Sequence, residues 1–241
     1  TPEELTKIAQ NPATQRAMEF RQLNRPVSAR REWNFLQSQL NSVDKATAAV
    51  FADQQGWHEQ AIFGFSKAGY LNDIQKRFPM PFKAEIIRYA KHYQIDPAWA
   101  FAIARRESSF MPDAASGAGA LGLMQVLPST AKYLAKKPVS RKTLFNPEQN
   151  LKFGTQYLRY LMDKMDNNQI LATASYNAGY HRIKRWIPEQ AMPAELWIEL
   201  IPYTETRNYV KNVFAYRQVY HTRLGRDGNV LAPILDMSMG G

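Results

Sequence analysis

The chain has 241 residues, 45% hydrophobic and 12% aromatic, enough core material for one large domain or two modest ones. It contains no cysteine, which excludes a zinc-thiolate site, a thiol nucleophile and a disulfide framework. Lys and Arg number 31 against 21 Asp and Glu, and the resulting charge of +10 favours a polyanionic partner: nucleic acid, anionic lipid or an acidic glycan. The plain alternative is a basic domain with no polyanion to bind.

No apolar run approaches the roughly 20 residues that span a bilayer. The first residues, TPEELTKIAQ, lack an apolar signal core, so no targeting segment is visible. Residues 1 to 80 read as short helices joined by tight turns. Arg16 to Leu23 is a helical run that breaks at Asn24-Arg25-Pro26. Val27 to Leu40 follows, with Trp33, Leu36 and Leu40 as its apolar stripe. Ser42 or Asp44 offers a cap for the Ala-rich run Ala46 to Ala52, and Trp57 to Ala68 closes at Gly69. These runs suggest helical hairpins, and since about three are needed for a stable array, the segment reads as the end of a longer one.

Pro79-Met80-Pro81 breaks the pattern and marks the expected domain boundary. Phe82 to Tyr93 then places Ile86, Ile87, Ala90 and Tyr93 on one face. Asp96-Pro97 and Asn146-Pro147 each pair a capping side chain with proline at the first helical position. Asn167 or Asn168 opens a helix ending near Asn177 and Gly179, and a last long helix runs from about Thr204 to Leu224. Residues 225–241 have no clear period and are expected to be extended or poorly ordered. No alternating strand pattern appears, so the fold class is all-α, with a helical-hairpin segment at 1–80, a second domain at 81–224 and a tail at 225–241.

Four stretches could carry chemistry. Glu107 stacks with Ala100, Ile103 and Ala104 on the helix that starts at Pro97, so its carboxyl projects from an apolar face near the helix C-terminus. Burial and the negative end of the helix dipole both raise a carboxyl pKa, as a proton donor requires. The competing reading is a Glu exposed at a frayed helix end. Arg105 and Arg106 are neighbours in sequence but should not face it. Ser116 to Gly122 holds three glycines, which permit close backbone approach to a ligand. No Gly-Lys-Ser/Thr follows, which disfavours a phosphate-cradling loop. Leu121, Leu123 and Met124 argue for a packed segment rather than a mobile linker, and leave Gln125 as a polar group set by packed neighbours. Tyr176 and Asn177 lie before Gly179 and serve equally as core aromatic and cap. Glu205 falls in the first turn of a helix, where capping alone also explains it.

Taken in order, Glu107-Ser108, Gly122-Leu123-Met124-Gln125, Ala174-Ser175-Tyr176-Asn177-Ala178-Gly179 and Ile201-Pro202-Tyr203-Thr204-Glu205-Thr206-Arg207-Asn208-Tyr209-Val210 resemble the soluble lytic transglycosylases of Gram-negative bacteria. The resemblance covers about residues 80 to 224, and more loosely the N-terminal hairpins. It implies a catalytic domain like goose-type lysozyme, preceded by a helical superhelix, acting on peptidoglycan in the periplasm without cofactor or metal. Glu107 matches the single catalytic acid/base. Ser108, Ser116, Met124, Gln125, Tyr176, Asn177 and Glu205 match substrate-binding positions, with Ser116 on the N-acetyl group of the reacting sugar. Ser175 departs mildly from the Ala that is frequent there. Implied partners are glycan strands, muropeptides and other cell-wall enzymes, and no nucleic acid. The readings to separate from this are a lysozyme-like hydrolase, for which Asp113 is the nearest second acid in sequence, and a non-catalytic basic helical module.

Overall fold

A computed structural model describes residues 1–241, and the chain divides into two compact units, Thr1–Pro81 and Phe82–Gly241. Both are built of helices, and the second also holds one pair of two-residue strands. Short polar caps followed by proline start many of these helices. Proline at the first position gives up an N–H that has no intrahelical partner, while the cap oxygen takes one of the N–H groups that remain.

The first unit contains α1 (Pro2–Gln10), α2 (Pro12–Gln22), α3 (Pro26–Gln39), α4 (Ser42–Gln54), α5 (His58–Lys67) and the single turn α6 (Ile74–Arg77). Thr1 closes a reciprocal capping box with Glu4 at the start of α1, and Asn11 caps α2 through the Ala13 N–H. The helical run expected from Arg16 therefore begins four residues earlier, at Pro12. The cap of α4 is Asn41, whose Oδ1 accepts the Asp44 N–H at 2.8 Å, in place of the expected Ser42 or Asp44. The core gathers Trp33, Leu36, Phe51, Trp57 and Phe65, with the Trp33 and Trp57 rings 5.2 Å apart. At Gly64 an added Cβ would come within 2.6 Å of Ala49 Cβ, so α4 and α5 approach as closely as their backbones allow.

The second unit contains α7 (Lys83–His92), α8 (Pro97–Ser108), α9 (Pro128–Ala135), α10 (Arg141–Phe145), α11 (Pro147–Lys164), α12 (Gln169–Ala178), α13 (Tyr180–Trp186), α14 (Ala194–Leu200), α15 (Thr204–Arg223) and α16 (Ala232–Leu235). Its central element is α8. Ala98 through Ala104 are all buried, so this helix is apolar all round and surrounded by the others. The alanines let neighbours close in, while Trp99, Phe101 and Ile103 fill the space between them. Trp99 donates its indole N–H to Thr173 Oγ1 of α12 at 3.1 Å, and the Phe101 ring stacks 5.1 Å from Tyr220 of α15.

α15 passes along α8 and is tied to both of its ends. Asp96, the α8 cap, accepts the Ala98 N–H and also receives Arg217 at 2.7 Å and Arg226 at 3.1 Å. Residues 225–241 are neither simply extended nor without order. α16 and β2 (Ser238–Met239) fold back, β2 pairs antiparallel with β1 (Met192–Pro193), and Ile234 and Met239 enter a core with Ile183, Trp197 and Val210. Isolated apolar side chains, spaced without a period, seat this tail.

Candidate active site

Glu107 lies in the last turn of α8, and its carboxyl meets the first turns of α15. The phenol of Tyr209 donates to Glu107 Oε1 at 2.6 Å, a short charge-assisted distance. Burial pushes the Glu107 carboxyl up to about 7, and the nearby charge of Glu205 adds to the rise. The Tyr209 hydrogen bond and the Arg106 cation oppose it. Burial wins because a carboxylate removed from water loses more solvation than one neutral donor returns. Arg106 does bear on this carboxyl, against the expectation from helix spacing: its guanidinium lies over the Tyr209 ring, 5.5 Å from the centroid.

The loop after α8 is held in place by buried polar ties. Ser109 and Phe110 take positive φ of 51° and 63° and turn the chain out of the helix. Ser108 Oγ donates to Leu123 O at 2.7 Å and accepts the Met111 N–H at 3.2 Å. Ser108 is 8% exposed, and its hydroxyl ties the helix end to the loop. The loop closes on itself through reciprocal bonds between Leu121 and Val126, and Gly122 N donates to Ala114 O at 2.8 Å.

Sequence reasoning missed Asn150, which holds this loop from α11. Its Oδ1 accepts the Met124 N–H at 2.7 Å, while Nδ2 donates to Leu121 O at 2.7 Å and Leu144 O at 2.8 Å. An amide buried to 0% exposure beside Leu151 and Phe153 would cost several kcal/mol if unpaired, and here three of its hydrogen-bonding positions are filled. An otherwise apolar helix face interrupted by one Asn was the available signal. Gly122 sits against the same amide: with φ +76°, a Cβ there would come within 2.4 Å of Asn150 Nδ2 and of Leu144 O.

Met124 is fully buried and packs on the bare backbone of Gly154, where a Cβ would come within 2.3 Å of Met124 Sδ. Its side chain is thus packed in the core, and its carbonyl accepts the Tyr176 hydroxyl at 2.7 Å. Gln125, at φ 50°, turns Nε2 back onto Ala114 O and Gly122 O, which leaves Oε1 as its uncommitted polar group. Ser116 is exposed on the loop, where its hydroxyl accepts the Ala120 N–H at 3.0 Å.

On the opposite side, Asn177 at the end of α12 meets the start of α15. Its Oδ1 accepts the Thr206 hydroxyl at 2.8 Å, and Nδ2 points to Glu205 Oε1 at 3.4 Å. Glu205 itself is exposed. Tyr176 is held well above the ordinary phenol range by burial and by the Glu107 charge, and Tyr209 likewise, so both hydroxyls keep their protons. The structure therefore brings Tyr176, Glu205 and, through Glu205, Asn177 to Glu107, together with Tyr209, which stands inside the fourth motif without an assigned role. Tyr209 follows Glu205 by four residues, the spacing that puts both on one helix face. No three His, Asp or Glu side chains gather where they could hold a metal ion.

Residues 84–195 match the transglycosylase SLT domain, residues 7–74 the soluble lytic murein transglycosylase L domain, and residues 200–228 the soluble lytic transglycosylase helical domain. The soluble lytic murein transglycosylase of Salmonella typhimurium is 35% identical over 226 residues, and that of Escherichia coli K12 is 34% identical over 225. These alignments cover 91% and 90% of this chain, but the chain spans about a third of those relatives, 35% in each case. Among solved structures, an inactive mutant of the lytic transglycosylase Slt from Pseudomonas aeruginosa superposes with a TM-score of 0.89 at 36% identity, over 98% of this chain and 39% of that one. The 70-kDa soluble lytic transglycosylase of Escherichia coli gives 0.86 at 32% identity, over 96% and 38%. The chain belongs to the soluble lytic transglycosylase family.

Proposed function

We propose that this chain cleaves the β-1,4 bond between N-acetylmuramic acid and N-acetylglucosamine in peptidoglycan without consuming water, leaving 1,6-anhydromuramic ends. The observation that carries the reading is the state of Glu107: a carboxyl raised to about 7, with one oxygen held by Tyr209. Such a group is part acid and part base near neutral pH, where an acid/base catalyst is most effective. With Oε1 accepting from Tyr209, Oε2 is left to carry the proton and face the glycosidic oxygen.

Glu107 would donate that proton to the leaving oxygen while the substrate's N-acetyl carbonyl stabilises the cationic carbon. The carboxylate then takes the proton of the muramic 6-hydroxyl, which closes on the same carbon. Intramolecular closure gains from high effective molarity. Glycosidases with two working carboxylates hold them on opposite sides of the bond. Here Glu205, the second carboxylate whose charge is felt at Glu107, is exposed and engaged with Asn177. That arrangement favours a substrate-placing role, with Gln125 Oε1 and Ser116 offered from the loop.

The relatives are named murein transglycosylases, and one solved structure is a complex of the 70-kDa enzyme with bulgecin A. A net charge of +10 suits a polymer whose stem peptides carry carboxylates. The same reading places the protein in the periplasm among other cell-wall enzymes. Glu107→Gln tests it: turnover of purified peptidoglycan should be lost while binding persists. Retained turnover would remove Glu107 from the role.

A further inference from the structure

A row of tyrosines leads away from the site. Tyr176, bonded to Met124 O, has its ring 5.3 Å from Tyr157 of α11. Tyr157 stacks on Tyr160 at 6.0 Å and 15°, and Tyr160 meets Tyr133 of α9 edge-on at 5.5 Å. Burial falls along the row until Tyr133, which is 63% exposed. The Lys164 ammonium lies 5.7 Å from the Tyr160 ring centre.

One turn back along α11, the same two helices border a groove of about 680 Å³, lined by Tyr93, Lys137, Ser140, Thr143, Lys152 and Gln156 among others. Residues 152, 156, 160 and 164 recur every fourth position on α11, so they trace one inclined ridge about 18 Å long that runs from the groove to the tyrosines. Lys137 and Lys152 form no ion pair within the protein, while the nearest acid on α11, Glu148, is taken by Arg88 at 2.5 Å. The face thus combines flat aromatic rings, amide and hydroxyl groups, and unpaired ammonium groups.

We infer that this α9–α11 face holds a length of peptidoglycan strand beyond the sugars at Glu107. The apolar C–H faces of the sugars lie on Tyr160 and Tyr133, and stem-peptide carboxylates meet Lys137, Lys152 and Lys164. This rests on the proposed substrate but not on the proposed chemistry. Aromatic rings match sugar faces, the lysines match carboxylates, and the groove volume is within the range of ligand sites. Lys137 and Lys152 both line the groove itself.

The test is co-sedimentation of the intact chain with purified insoluble peptidoglycan, alongside binding of a soluble muropeptide tetrasaccharide. Tyr133→Ala with Tyr160→Ala, and separately Lys137→Glu with Lys152→Glu, should each weaken polymer binding about tenfold. Affinity for the tetrasaccharide should hold, and the lysine effect should shrink with added salt. Polymer binding unchanged in both pairs overturns the inference, as does an equal loss on the tetrasaccharide. Because binding is read without turnover, a wild-type chain that binds through this face but does not cleave would fail the proposed reaction and leave the face standing.

Discussion

Tyr209 of α15 donates its hydroxyl to Glu107 of α8 over 2.6 Å, so the catalytic candidate is shared between the unit's central helix and its longest one. The same two helices are tied again at Asp96 and Arg217, at the far end of α8. Any motion of α15 along α8 would therefore disturb the carboxyl, and the rigidity of the pair fixes where the proton sits.

The first prediction concerns pH. The proposed reaction needs Glu107 protonated, so kcat/KM should fall above about 7, where the raised carboxyl titrates. A profile flat from pH 6 to 9 would contradict the assignment.

Stability should report the same group. The folded carboxyl is raised from 4.5 to about 7, so ionisation disfavours the folded state. The cost is absent below about pH 4.5, grows as pH rises, and is complete above about 7. The shift corresponds to roughly 3 kcal/mol. Glu107→Gln, which can still accept from Tyr209 through its amide oxygen, should unfold later in urea than wild type at pH 8 by about 2–3 kcal/mol, with the gap closing at pH 4.5. Parallel curves at both pH values would mean the carboxyl is not buried as described.

Tyr209→Phe removes a donor that favours the ionised carboxylate. The falling limb of the pH profile should then move to higher pH, by about one unit if the bond is worth 1–2 kcal/mol. A purely structural role for Tyr209 would lower the rate and leave the limb where it was.

Much of this could be read along the chain, because its determinants are local. Asp96-Pro97 and Asn146-Pro147 announce their helices within two residues, and the Ala100–Ile103–Ala104–Glu107 stacking follows from helix period alone. What was hidden depends on distant partners. Tyr209 lies 102 residues from Glu107, and Asn150 lies 26 from Met124. Ser108 and Met124 show the converse. Both stand inside a motif, yet tertiary packing turns the Ser108 hydroxyl onto Leu123 O and buries the Met124 side chain against Gly154, so the motif preserves the loop's shape through them. The tail was unreadable because Ile234 and Met239 reach the core singly, with no periodic face to betray them.

Asn150→Ala should be among the most damaging changes far from Glu107. It strands the Met124 N–H and the Leu121 and Leu144 carbonyls in a dry interior. We expect a loss of about 3–5 kcal/mol by urea unfolding, together with lower activity in the folded fraction. A loss below about 1 kcal/mol would show that the loop is held by something else.

Gly122→Ala should act on the same joint from the other side. The new Cβ meets a backbone carbonyl that cannot step aside and is strained at φ +76°. A destabilisation of about 1–3 kcal/mol is expected. Gly117→Ala, in open space with ordinary φ on the same loop, should be close to neutral and serves as the control.

The central claim is that one carboxyl, Glu107, does both proton transfers and that the sugar's own hydroxyl closes the ring. Mass analysis of the soluble products from purified peptidoglycan tests it most directly. Muropeptides lighter than the hydrolytic products by one water, formed by wild type and absent with Glu107→Gln, are the predicted result. Products with reducing ends throughout, or anhydro products surviving Glu107→Gln, would contradict it.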